Sequence, residues 1–269
     1  MSKLGFIKNK YTVSALILIS LLGVDVLLHR GISRVIIPSS FTDQVKPINI
    51  IPCRQSLNIK EKHWLKAIDN IAAMEKVPPG TEGIECDVYF DTAKKSFAVY
   101  HDSTSISDLD ADSLLSVYQN QKLESHIWFD FKNLQAANKE SSSAEMLRLK
   151  TKYGLQQKLI IESGDPALLQ SFCDSGFFTS YYVPFFNPYQ AGEKELVAFI
   201  RGIEKKLAAN PTSALSGYYF QYPILKRFFP NYPILTWIDN PGPSLVAHYF
   251  NRQLNNDSMV KVILSPLSE

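Results

Sequence analysis

From residue 48 to the end, the chain alternates short apolar runs with longer segments whose apolar positions recur at helical spacing. The apolar runs fall at residues 48–52, 83–88, 127–131, 158–162, 178–183, 214–219, 234–238 and 260–264, each bounded by polar or turn-forming residues. Runs of this length predict strands. Between them, residues 59–76 carry Trp64, Leu65, Ile68, Ile71, Ala72 and Met74 on one helical face. Residues 143–153, 166–175, 194–208, 222–229 and 243–255 read as further helices, with Pro166 and Pro243 at first-turn positions. Residues 96–100 look like an added hairpin strand after the second run, followed by a short helix over 110–119. Eight strands alternating with helices predict a parallel sheet with helical crossovers, and in about 220 residues they fit a small (β/α)8 barrel. An open doubly wound sheet competes. No glycine-rich phosphate loop follows the first predicted strand, which counts against a dinucleotide fold.

Ahead of the barrel, the apolar pattern changes. Lys3, Lys8 and Lys10 precede a run from Tyr11 to Leu28 that is apolar on all sides apart from Asp25 near its end. About 18 such residues suffice to span a bilayer. No small-residue cleavage signature follows, so residues 1–28 read as an uncleaved signal anchor or transmembrane helix. The lysines then stay cytoplasmic and the chain is a single-pass membrane protein with its barrel domain extracytoplasmic. Arg30 and Arg34 weigh against that orientation. Residues 29–46 read as a linker and 47–269 as the barrel domain.

Charge adds little: 28 basic and 26 acidic residues give a net charge of +2. No basic stripe interleaved with aromatics is present, so no nucleic-acid partner is expected. The three cysteines, Cys53, Cys86 and Cys173, have neither metal-ligand spacing nor the pattern of a disulfide framework.

Candidate chemistry concentrates at the ends of the predicted strands, where a barrel of this type carries its active site. Glu85 and Asp87 stand at i and i+2 and so project from one face of a strand. Two carboxylates in a confined apolar site repel each other unless a cation lies between them, and hard cations prefer oxygen ligands. His101 and Asp102 end the next apolar run. Asp130 and Lys132 again share a face, as a buried ion pair or as a third carboxylate for a metal with a lysine for an anion. Arg54 ends the predicted first strand and offers a forked donor suited to phosphate. Trp237 offers an apolar wall, or is simply core. Glu162 reads as a group orienting Lys132 or Arg54, or as a solvated loop acid.

Together, Gly83-Ile84-Glu85-Cys86-Asp87-Val88, Val99-Tyr100-His101-Asp102, Asp130-Phe131-Lys132, Ile161-Glu162-Ser163 and Leu235-Thr236-Trp237 resemble the glycerophosphodiester phosphodiesterase-like group of the phospholipase C-like phosphodiesterase superfamily. The resemblance spans roughly residues 47–266. It implies a (β/α)8 barrel that cleaves phosphodiesters with a divalent cation, Mg²⁺ or Ca²⁺, and two histidines. It implies metal ligation by Glu85, Asp87 and Asp130, acid/base work by His101, and phosphate contacts from Lys132 and Arg54. Where the family's first strand ends His-Arg, this chain is expected to place Cys53-Arg54, with Cys53 in the position of the second acid/base group. A thiol of ordinary pKa replaces imidazole poorly near neutral pH. Two readings follow: a membrane-anchored, metal-dependent hydrolase acting on a glycerophosphodiester or lipid head group, and a catalytically lapsed barrel that holds a phosphorylated or sugar ligand. A structural protein whose inward acids form core ion pairs is the third.

Overall fold

The computed structural model describes residues 3–28, 41–102, 104, 106–238 and 244–267. Helix α1 (Lys3–Leu28) comes first. Nine strands and seven further helices follow in the order β1 (His63–Lys66), α2 (Ile71–Glu75), β2 (Gly83–Asp91), β3 (Ser96–Val99), α3 (Ala111–Asn120), β4 (His126–Phe131), α4 (Lys139–Lys152), β5 (Leu159–Ser163), α5 (Pro166–Asp174), β6 (Phe178–Tyr182), α6 (Glu193–Ala209), β7 (Ala214–Tyr218), α7 (Tyr222–Phe228), β8 (Ile234–Trp237), α8 (Leu245–Asn256) and β9 (Val260–Pro266). Eight of these strands are parallel and close into a barrel in the order β1, β2, β4, β5, β6, β7, β8, β9, with β9 returning to β1. The ninth, β3, pairs antiparallel with the part of β2 that overhangs the barrel, Val88 opposite Val99. The fold is a TIM barrel with one added hairpin.

Seven of the eight barrel strands lie where the apolar runs predict them. The first does not. Residues 48–52 are no strand; they run along the outside of the barrel, where the Ile48 N–H donates to the Phe228 carbonyl at 2.8 Å. Val45 and Ile48 are buried against α7 and its neighbours, so residues 41–46 of the predicted linker pack onto the barrel domain. Its earlier part, 29–40, lies outside the described residues, as does the place predicted for Pro243. Pro166 does occupy the first turn of α5.

The true first strand, His63–Lys66, lies inside the stretch predicted as a helix. The reason is local. Trp64 points into the barrel and Leu65 out of it, and the chain then turns and enters the short α2, which buries Met74. A four-residue strand running into a turn and a one-turn helix places its apolar residues at spacings that mimic a single helical face.

Below the mouth, the barrel interior is plugged by Trp64, Trp128, Ile160, Phe178, Ala214, Leu235, Val262 and Leu264. The indole of Trp64 lies flat against the backbone of Gly83, where an added Cβ would sit 2.1 Å from the ring. Only glycine leaves room for this contact, which seats β1 beside β2.

Across the floor of the barrel, Cys53 is disulfide-bonded to Cys173 at the end of α5, and the Cys53 N–H donates to the Thr212 carbonyl just ahead of β7. Cys86 is the free thiol and is buried. The bond ties the segment after residue 48 to the bottom of the barrel, although cysteine spacing alone shows no framework.

The last turns of α1 touch the barrel domain. Val26 packs on a cluster that includes Val246 and Phe250, and an Asp25 carboxylate oxygen accepts the Val246 N–H at 3.1 Å in the first turn of α8. The stretch Lys10–Leu27 has mean hydropathy 1.7 and is not buried. At 1.5 Å per residue it is about 27 Å long, enough to cross a bilayer core.

Two outcomes are expected from this architecture. Gly83→Ala forces the Trp64 ring to move, and overpacking of this kind costs about 1–3 kcal/mol or more. Its thermal midpoint should fall clearly, and Trp64→Leu in the same chain should restore part of the loss. Under denaturing, non-reducing conditions a maleimide should label one of the three cysteines, and all three after reduction.

Candidate active site at the barrel mouth

Strand register brings the acidic residues together. Glu85 and Asp87 share the inward face of β2. Asp87 is level with Asp130 of β4, and Asp130 with Glu162 of β5. All four line a cavity of about 450 Å³ at the C-terminal ends of the strands, with Lys66, Asp69, His101, Lys132, Tyr182, Tyr218 and Trp237. Glu85, Asp87, His101, Asp130, Lys132 and Trp237, all singled out from sequence, therefore do meet.

Cys53 and Arg54 do not. They lie at the opposite end of the barrel, Cys53 in its disulfide and Arg54 beside Lys150, Gln157 and Phe177. The sequence expectation that they end the first strand is corrected: that strand ends at Lys66 and is followed by Ala67-Ile68-Asp69, and Lys66 and Asp69 are the residues it brings to the cavity. Of the two readings of Glu162, the solvated loop acid is excluded: the residue is buried inside the barrel and accepts a hydrogen bond from Ser216.

Each side chain is held by its neighbours. Ala67 adopts a positive φ of 60°, which turns its N–H inward to donate to Glu85 Oε2 at 2.7 Å. Two residues on, Asp69 Oδ1 accepts the Asp87 N–H at 2.8 Å. His101 Nδ1 lies 2.5 Å from Asp87 Oδ2. A carboxylate accepts, so Nδ1 is the donor of this contact and Nε2 is left outside it. The β2–β3 hairpin fixes this histidine, since Tyr89 stacks on Tyr100 at 4.1 Å and donates its hydroxyl proton to the His101 carbonyl at 3.3 Å. Lys132 Nζ is ion-paired with Asp130 and stands 2.9 Å from Asp87 Oδ1.

The electrostatics follow from burial and crowding. Desolvation, then the charge of Asp87, pushes the carboxyls of Glu85 and Asp69 up, Asp69 to about 6. Desolvation raises Asp130 as well, against the pull of Lys132. Glu162 rises through desolvation and then the charge of Asp130. Burial alone would lower the Lys132 ammonium, but Asp130 and Asp87 outweigh it and hold it above its ordinary value. Five carboxyls, those of Asp69, Glu85, Asp87, Asp130 and Glu162, line the cavity with two lysines, Lys66 and Lys132.

A hard cation fits this set. Oxygens of Glu85, Asp87 and Asp130 lie within 4.8 Å of one another, as do donor atoms of Asp69, Asp87 and His101. Asp87 Oδ1 is buried and, although it faces Lys132, makes no aligned hydrogen bond. An all-oxygen trio with one under-satisfied oxygen is the donor chemistry that Mg²⁺ and Ca²⁺ prefer.

The opposite side of the mouth is aromatic. Trp237 packs against Tyr182 at 5.4 Å and Tyr218 at 4.9 Å between ring centroids. Asp69, Lys66 and Tyr218 were missed in the sequence. Tyr218 was legible in principle, because it ends an apolar strand at an inward position, as Tyr182 does. Asp69 and Lys66 were hidden by the misread first strand.

Neither protein-family models nor curated protein sequences give a match to the chain. Solved structures do. A Silicibacter pomeroyi protein assigned as a glycerophosphoryl diester phosphodiesterase superposes with a TM-score of 0.54 at 12% identity, over 78% of this chain and 91% of its own. A glycerophosphodiester phosphodiesterase from Parabacteroides distasonis gives 0.51 at 14% identity, over 77% and 93%. A Galdieria sulphuraria protein assigned to the same activity gives 0.50 at 12%, over 78% and 95%. The resemblance expected from the sequence motifs is thus met at the level of the fold: this chain has the (β/α)8 barrel on which these proteins are built.

Proposed function

We propose that the protein is a membrane-anchored phosphodiester hydrolase dependent on a divalent cation. The observation that carries this reading is the convergence of Glu85, Asp87 and Asp130 beside Lys132 and His101 in one cavity. The fold shared with glycerophosphodiester phosphodiesterases supports it.

In this reading Glu85, Asp87 and Asp130 would hold Mg²⁺ or Ca²⁺, which when bound would supply charge stabilisation to the phosphate. Lys132 adds a fixed positive charge beside the phosphate. His101, with Nδ1 held by Asp87, presents Nε2 for proton transfer. Asp69, next to Asp87 and grouped with His101, takes the second proton-transfer role in place of Cys53. Water attacks phosphorus and the ester P–O bond breaks. One of the two groups accepts the proton lost by the water, and the other delivers one to the departing alcohol oxygen. Trp237, Tyr182 and Tyr218 hold the apolar part of the substrate.

The helix Lys10–Leu27 anchors the chain, with the barrel outside the cytoplasm. The Cys53–Cys173 disulfide supports that side, since such bonds persist in oxidising compartments. The reading of a lapsed, ligand-holding barrel has one observation in its favour: among the described residues, His101 is the one histidine lining the cavity.

Stability tests the cation. At a concentration about 100-fold above its Kd, Mg²⁺ or Ca²⁺ should stabilise the purified full chain by about 2.7 kcal/mol, a rise in Tm of roughly 5–10 °C. Glu85→Gln should abolish the rise; an unchanged Tm in the wild type with every divalent ion tried would remove the metal from the reading.

Turnover tests the chemistry. Hydrolysis of a chromogenic phosphodiester should require the cation, and His101→Ala and Asp69→Asn should each lower kcat by about 10²–10⁴-fold. Cys53→Ser should leave kcat at moderate temperature unaltered. A Tm raised by cation without turnover on any diester would select the lapsed barrel.

A further inference from the structure

The anchor helix meets the barrel at a particular place. Asp25 interrupts an apolar helix, where a carboxylate is costly unless it has a partner. Its partner is the Val246 N–H in the first turn of α8, a place where the helix dipole favours negative charge. Helix α8 follows β8, so its N-terminus lies at the C-terminal ends of the strands, on the face that carries the cavity. Residues Lys10 to Leu21 of α1 are exposed. Through Asp25 and Val26 the anchor is docked on the rim of the site.

An aromatic path joins the cavity to this docking point. Trp237 at the cavity wall touches Tyr218, and Tyr218 stacks on Phe220 at 5.4 Å. Phe220 belongs to the cluster on which Val26 of α1 packs. Phe185 lies against both Tyr218 and Phe220, at 5.1 and 5.7 Å, and is 48% exposed. Other large apolar side chains are exposed on segments of this face: Leu245 and Tyr249 at the start of α8, and Ile106 in the connection after β3. Exposed apolar groups gathered on one face, with a tyrosine among them and a membrane-length helix rooted beside them, are what a lipid surface covers. The cavity is polarised in the same sense. Its carboxylates, Lys132 and His101 come from the turn after β1, from β2, β4 and β5 and from the β3 hairpin, whereas its aromatic wall comes from β6 to β8.

We infer that α1 holds the barrel mouth against the bilayer surface, and that the substrate is a membrane-resident amphiphile with a phosphodiester head group, in preference to a water-soluble diester. The head group enters toward Asp87 and Lys132, and the apolar remainder stays on the path from Trp237 to Phe185. The substrate half of this statement rests on the hydrolytic reading above; the orientation half does not.

The experiment places the full chain in phosphatidylcholine nanodiscs and has two arms. In the first, nitroxide labels are attached at Phe185→Cys, Leu245→Cys and, on α4 away from the mouth, Leu147→Cys. The native cysteines are disulfide-bonded or buried. Labels at 185 and 245 should relax preferentially with oxygen, which partitions into lipid, and the label at 147 with a water-soluble nickel chelate. Equal access to the chelate at all three overturns the orientation. Asp25→Ala should shift the 185 label toward water, and no shift overturns the docking.

In the second arm, lysophosphatidylcholine in the disc is compared with glycerophosphocholine in solution. The lipid should be favoured in kcat/KM by about tenfold or more, an apolar-contact scale of discrimination. Equal turnover overturns the lipid substrate while sparing the hydrolase. No turnover of either overturns the hydrolytic reading and the substrate with it, and the labels still decide the orientation.

Discussion

Closure of the barrel rests on four residues, His63–Lys66, and on the contact of Trp64 with Gly83. Strand β1 pairs with β9 over its whole length but meets β2 at a single register position, Leu65 with Ile84. Beyond that point the two strands are joined by other bonds. The Ile68 N–H reaches the Glu85 carbonyl, the Ala67 N–H reaches the Glu85 side chain, and Asp69 takes the Asp87 N–H. A continued ladder would have used backbone carbonyls for all of these. Breaking it at Ala67 places a non-glycine residue in the left-handed region at a cost of about 1–2 kcal/mol. In return, the seam of the barrel and the site become one structure: what closes the sheet also orients two of the candidate metal ligands.

That seam has to hold an electrostatically unfavourable cluster. Asp69, Glu85, Asp87, Asp130 and Glu162 face one cavity, with Lys66, Lys132 and His101 as their basic neighbours. Burial and mutual repulsion raise the carboxyls of Glu85, Asp130 and Glu162, so their ionised forms oppose folding near neutral pH. Buried charges of one sign are tolerated where another function requires them. The apolar plug beneath, with two tryptophans and six smaller residues, supplies the burial that lets such a mouth exist.

Much of this was legible in the sequence. Seven strands were plain because parallel barrel strands are short apolar runs, and the i, i+2 spacing of Glu85 with Asp87 and of Asp130 with Lys132 places those pairs inward without further information. The first strand was not legible. Trp64, Leu65, Ile68, Ile71 and Met74 satisfy a helical period, and nothing in the spacing reveals that the backbone turns at Ala67. Shifting the first strand to residues 48–52 carried Cys53 and Arg54 to the wrong end of the barrel and hid Lys66 and Asp69. Cys53 and Cys173 are 120 residues apart, so their bond depends on the tertiary fold alone. Asp25, an oddity within an apolar run, has a reason only once α8 is beside it.

The relocation of Cys53 changes the case for catalysis. Read from sequence, a thiol facing His101 implied a damaged acid/base pair and favoured a lapsed site. With Cys53 engaged in a disulfide on the far side of an apolar plug, that inference loses its premise. The group that faces His101 across Asp87 is a carboxylate. Asp87 itself has three contacts of different kinds: its N–H to Asp69, one oxygen to His101 and the other toward Lys132. A residue serving only barrel stability would not need to gather an acid, an imidazole and an ammonium at once, since a hydrophobic side chain at the same inward position would avoid the desolvation of the Asp87 carboxylate. The arrangement is intelligible if an anion and its counter-cation are meant to enter the space that these groups surround.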